Sequence, residues 1–175
     1  MNLVDHPIRL SGLTAADAAR LEAVRGLPGL QVAWSFALDG REAEWVRAVR
    51  PGAPVVAKIE RLEALGELPG IAARVDALWV GRGDLGAQLG PAALARFVGS
   101  FSPSDLARPV LMAGQVLEHL TEHAEPTRSE VCHLYDLWQR GYAGVVLSDE
   151  TAIGRSPARA VERAASLVRA FSGRG

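Results

Sequence analysis

Five short, almost uninterrupted apolar runs, each followed by enough chain for a helix, constrain this sequence more than any other feature. They occupy residues 31–36 (QVAWSF), 55–60 (VVAKIE), 77–81 (ALWVG), 109–113 (PVLMA) and 144–148 (GVVLS). Each is too short for a helix. Apolar character at consecutive positions marks a strand covered on both faces, as in a parallel sheet flanked by helices. Helix starts fill the gaps: Thr14 with Asp17 precedes AADAARLEAV, Thr127 with Glu130 precedes SEVCHLYDLW, and Ser156 with Pro157 opens ARAVERAASLVRAF. These are patterns in which a side-chain oxygen or a proline relieves the free N–H groups of a first turn. In the last helix Val161, Ala165, Leu167 and Val168 fall on roughly one face, which predicts packing on the sheet. The fold class is therefore α/β with parallel βα units, and periodicity leaves open whether the sheet stays open or closes as a barrel. With 175 residues, 49% of them apolar, and only short turns such as 50–54 and 68–70 between elements, the chain reads as one domain over residues 1–175.

The candidate chemistry lies at the ends of these strands. Of 19 basic residues only Lys58 is a lysine, so position 58 stands out as one that requires a compact, titratable ammonium. Lys58 and Glu60 are two apart at the end of the second run and leave one face, about 7 Å apart at their roots. Opposite charges on an apolar strand are costly unless they are used or well paired, so a ligand site and a structural ion pair are the two readings. The third run leads into Gly81-Arg82-Gly83-Asp84-Leu85-Gly86. A dinucleotide fingerprint of this form would open a long helix, and Gly90 with Pro91 interrupts it after one turn. The segment is better read as a tight loop whose N–H groups face a carboxylate or phosphate. Glu60 and Asp84 then form a two-carboxylate site, which suits Mg²⁺ or Mn²⁺ because these ions keep waters and complete their shell with substrate oxygens.

Charge and cysteine usage exclude several classes. A net charge of −1 argues against a nucleic-acid or anionic-membrane partner, and no apolar run approaches the length of a membrane span. The start, MNLVDHPIRLSGL, has neither a basic nor a long apolar leader region, which predicts a cytoplasmic protein. Cys132 is the single cysteine, so a disulfide framework and a multi-cysteine zinc site are excluded, and its helical neighbour His133 points elsewhere. His119 and His123 are spaced to share a metal, yet no third ligand is near and a solvated helix face is the expectation. Trp34, Trp45, Trp79 and Trp138 have no basic stripe between them and read as core or interface residues.

The segments AKIERLEAL, ALWVGRGDLG, RPVLMAGQVLE, EPTRSEV and VVLSDETAIGRSP resemble, in order and spacing, the signature segments of the pyruvate kinase family over residues 13–171. The resemblance implies a partial (β/α) TIM-type barrel of about five parallel strands that binds phosphoenolpyruvate and pyruvate through a divalent metal. It implies that Lys58 is the catalytic lysine, that Glu60 and Asp84 are the metal ligands, and that the backbone at Gly83 and Asp84 holds the substrate carboxylate. The departures are specific. The chain corresponds to the family's barrel strands four to eight, without the first three strands, the lid domain, the C-terminal domain and the phosphoryl-binding groups they carry. Gly114 stands where the family has a threonine beside the enolate carbon, so the substrate-binding position is kept without its hydroxyl. Asp149 replaces a glycine and reads as a solvated loop charge, while His133 and Asp136 replace an aspartate and an asparagine.

Five strands of a barrel expose two edges and an apolar inner face, which predicts a homo-oligomer or a companion chain that completes it. Cover by the first ten residues, with Leu3, Val4, Ile8 and Leu10, is the other solution. The initiating Met and the polar Gly-Arg-Gly end read as the ends of a whole gene product. Two functional classes follow. One is an enzyme of enolate chemistry on a small carboxylate or phosphoenolpyruvate-type ligand, without full kinase activity in the isolated chain. The other is a non-catalytic binding or assembly subunit, or one part of a split pyruvate kinase.

Overall fold

The computed structural model describes residues 10–173. Its framework is a parallel sheet of five strands in the order β1 (Val32–Trp34), β2 (Val55–Ile59), β3 (Ala77–Gly81), β4 (Val110–Ala113) and β5 (Gly144–Val146). All five expected strands form, and the outer ones are shorter than their apolar runs. The helices are α1 (Ala15–Ala23), α2 (Glu42–Val49), α3 (Leu68–Arg74), α4 (Arg82–Leu89), α5 (Pro91–Ser100), α6 (Arg128–Gln139), α7 (Asp149–Ile153) and α8 (Pro157–Phe171). Thr14 caps α1 through the N–H of Asp17, and Thr127 with Glu130 completes a reciprocal capping box on α6. Ser156 and Pro157 open α8, although the Ser156 side chain makes no capping bond.

The core lies between the sheet and its helices. Val55, Ala57, Ile59, Leu78, Val80, Val110 and Met112 meet Ala43, Val46, Ile71, Leu134, Leu137, Ala160 and Ala164 there. Period-two geometry sends the intervening strand residues to the opposite face. On that face Val56 and Ala113 are buried, while Ala33 is exposed and Trp79, Leu111 and Val146 are only half-buried. This corrects the expectation of a sheet covered on both sides. The runs are apolar throughout, yet within the described residues helices complete one layer only. Leu3, Val4 and Ile8 lie outside the described residues, and Leu10 is exposed.

Two further corrections concern helices. The Arg82–Leu89 segment is a helix, α4, instead of a tight loop; it runs to Gly90, whose φ of 75° ends it, and Pro91 starts α5. A glycine at positive φ followed by proline separates two helices as readily as it ends one. On α8 the buried residues are Ala160 and Ala164, with Leu167, Val168 and Phe171 packed against the core, whereas Val161 is 57% exposed. The helix is thus turned about one residue from the face expected from its bulky side chains, because small residues permit the closest approach.

Candidate active site

Parallel βα units bring the residues that follow each strand to one end of the sheet, and all the proposed site residues lie there. Lys58 is the fourth residue of β2 and points to the half-covered face, in register with Trp79 of β3. Its Nζ lies 2.8 Å from Glu60 Oε1 and donates to Ser35 Oγ at 3.2 Å. Glu60 follows the last residue of β2 and is 5% exposed. Its second oxygen accepts the Phe36 N–H at 2.9 Å, so both carboxylate oxygens are engaged. Phe36 reaches it by adopting φ of 56°, and the next N–H, of Ala37, donates to the Lys58 carbonyl at 3.1 Å. The turn after β1 is therefore bound to both charged residues of β2. The alternative raised by the sequence, an ion pair, is formed.

Gly81 makes room for this arrangement. A Cβ there would lie 2.7 Å from Glu60 Cγ, closer than real Cβ contacts come, and 3.1 Å from Oε1, so Glu60 would have to shift. Directly after Gly81 the chain enters α4, whose first turn holds Gly83 and Asp84. The first N–H groups of a helix lack intrahelical partners and carry its positive dipole end, so this turn favours an anion. Gly81 offers no side chain to cap it. Gly83 is exposed and a Cβ there would meet open space. The loop reading and the helix thus place the same backbone donors at the same strand end.

Gly114, after β4, has φ of 81°, and Gln115 and Leu117 are also left-handed, at 51° and 56°. Its carbonyl is gripped by Arg82, which donates from Nε at 3.0 Å and from Nη2 at 2.5 Å. Arg82 Nη1 lies 2.9 Å from His133 Nε2 on α6. A left-handed backbone strains a threonine, the residue of the family pattern, whatever the space around it. Ser35 and Phe36 carried no role in the sequence reading, and Gly81 and Arg82 entered it only as the start of the glycine motif. Asp149 is exposed at the start of α7. His119 and His123 stack with ring centroids 3.7 Å apart and parallel planes, so their lone pairs do not converge on a shared ion.

Among the described residues no three His, Cys, Asp or Glu side chains gather as a metal-holding group. Two carboxylates such as Glu60 and Asp84 are the donor type that a hard cation takes when it brings its own waters. Both Glu60 oxygens are engaged here, one by the Lys58 ammonium and one by the Phe36 N–H, so a cation at this position would compete with Lys58. No described helix is long and apolar enough to cross a membrane.

Comparison with known proteins agrees with this architecture. The family profile described as pyruvate kinase, barrel domain, matches residues 1–161. The chain is 33% identical over 144 residues to a pyruvate kinase of Corynebacterium efficiens, covering 79% of this chain and 30% of that protein. It is 35% identical over 145 residues to one of Mycobacterium intracellulare, covering 78% and 30%. With one of Agrobacterium vitis it shares 33% identity over 165 residues, covering 93% and 35%. The chain thus spans about a third of the length of these relatives. Sheet, strand-end residues and profile converge on one assignment: the chain belongs to the pyruvate kinase family, within its barrel domain.

Proposed function

We propose that this protein binds pyruvate- or phosphoenolpyruvate-type ligands at the strand ends around Lys58 and supports enolate chemistry there. The observation that carries the reading is the Lys58–Glu60 pair, set beside the opening turn of α4 by a glycine that leaves it space. Glu60 and Asp84 would hold Mg²⁺ or Mn²⁺, which supplies polarisation of keto and carboxylate oxygens. The N–H groups of Gly83 and Asp84 receive the ligand carboxylate. Lys58 presents its ammonium to the oxygen on which charge grows as a pyruvate methyl proton leaves to solvent, and the Ser35 hydroxyl orients it. Gly114 borders the ligand without offering a hydroxyl for reprotonation.

The relatives are pyruvate kinases by name and about three times as long. Phosphoryl transfer to a nucleotide draws on groups outside these 175 residues, so we assign the isolated chain ligand binding and enolisation, in the cytoplasm, without ATP formation. The half-covered sheet face favours a second role beside the first. A second copy or a companion chain would pack there, and with a chain supplying the missing strands the full kinase reaction becomes available.

The test is Mg²⁺-dependent exchange of the pyruvate methyl protons in deuterated water, followed by NMR. We expect exchange for the wild type and a loss of about a hundredfold or more for Lys58→Met. No exchange from a folded wild-type sample, or equal exchange by both proteins, would overturn the enzymatic reading and leave the assembly role.

A further inference from the structure

We propose that the cleft between α5 and α6 binds a small carboxylate carrying an apolar tail, with the carboxylate on Arg82 and the tail along Leu94 and Val98. Arg82, the head of the cleft, holds the Gly114 carbonyl at the strand-end site, while the walls come from α5 and α6. The cleft lies on the helix-covered side of the sheet, opposite the face to which Lys58 points.

The first support is a space that the packing leaves. α5 packs chiefly against α4, and α6 against α8, so these two neighbouring helices do not close on each other. The gap between them is a cavity of about 390 Å³. Its walls are mostly aliphatic, with Leu94, Ala95 and Val98 from α5 and Leu137 from α6. That volume suits a small molecule, since ligand sites combine apolar walls with a few convergent polar groups.

The second support is the charge at its head. Arg82 is part-buried, and its contacts are the Gly114 carbonyl, through two N–H groups, and the imidazole of His133. Among the described residues it makes no ion pair. A guanidinium removed from water normally has a carboxylate in contact, whereas this one touches a neutral carbonyl and a base, and the Glu118 carboxylate acts on it without forming an ion pair. Its planar fork has more N–H donors than these contacts use, in a geometry that matches a carboxylate. His133 accepts from Arg82 only while its ring is neutral with the proton on Nδ1, so it adds no negative charge. Arg140 at the foot of the cleft donates to the Gly99 carbonyl and is a second cation without a carboxylate contact. Asp136 is the one acidic side chain lining the cleft, and it is exposed on the α6 surface. Position 133 is a histidine, so this contact brings Arg82 no negative charge.

Octanoate is the probe, titrated into the ¹⁵N-labelled chain, with acetate as charge without tail and octan-1-ol as tail without charge. The expected result is saturable binding of octanoate that shifts amides of residues 94–99, 114 and 133–140, with both controls about tenfold weaker or more. His133→Asp, which sets a carboxylate against Arg82, should weaken octanoate about tenfold. Ala95→Trp fills the cleft from an exposed position and should block binding in a folded protein. Octanoate that does not saturate, that binds both variants as well as wild type, or that is matched by either control overturns the proposal. Retained binding by Ala95→Trp alone does so even if His133→Asp fails to fold.

Discussion

Gly81 and Gly83 stand two residues apart and do opposite things. The missing side chain at 81 is filled by Glu60 from the neighbouring strand, whereas that at 83 faces open space at the start of α4. Gly81→Ala forces the buried carboxylate away from both its donors, and we expect a loss of about 2 kcal/mol, in the range of overpacked cores. Mg²⁺ or Mn²⁺ affinity should fall with it. Gly83→Ala should leave the fold intact or stabilise it by about 0.5 kcal/mol, because alanine loses less chain entropy on entering a helix. In the proposed site the new methyl group would nonetheless stand in the approach of the ligand carboxylate. Urea unfolding beside a Mn²⁺ and pyruvate titration separates the two: one variant loses stability and metal, the other keeps both and loses pyruvate. Equal behaviour of the two variants would remove the division of labour between these glycines.

At the scale of elements, α4 and α6 are joined through Arg82 and His133, and that joint is sensitive to pH. Burial first, and the Arg82 charge second, hold the His133 ring below its ordinary value of 6.5, while Asp136 acts the other way. The unfolded chain therefore binds more protons than the native one between the folded and unfolded values. The stability tied to a neutral His133 is complete above about pH 6.5 and is lost as pH falls through the lowered folded value. His133→Gln keeps an acceptor for Arg82 and removes the titration. The melting temperature of wild type should thus fall more steeply than that of the variant below pH 6.5, and parallel profiles would show that the joint bears no load. The strands and helix starts were legible because they rest on local chemistry: apolar runs, a capping box at Thr127, a proline at 157. The candidate site was drawn from unusual residue types, a lone lysine and two carboxylates at strand ends, and the ion pair between Lys58 and Glu60 is the part of it that the structure shows. The Phe36 turn and the Arg82 bridge were not, since they arise from a left-handed backbone residue and from a contact spanning 51 positions. The α4 helix was missed because Gly and Pro at 90–91 signal an end without telling how much helix precedes it.

For the molecule as a whole, the decisive property is a sheet of which the described residues finish one side. Trp79, Leu111 and Val146 on the other side are half-exposed, and β1 and β5 do not pair with each other among the described residues. Apolar area of this kind drives association in water. We expect sedimentation equilibrium of the 175-residue chain to give a mass above the 18.6 kDa of one copy, and Val146→Glu to shift it toward one copy. A monomer at every concentration would mean that this face stays in contact with solvent. The same open side leaves the Lys58 side chain 28% accessible, and no other residue of the chain carries a side-chain amine. Apart from the chain terminus, an amine-selective reagent therefore has a single address on this protein. A reporter attached there reads out the proposed centre alone, and an acyl group of cellular origin on that nitrogen would remove its charge.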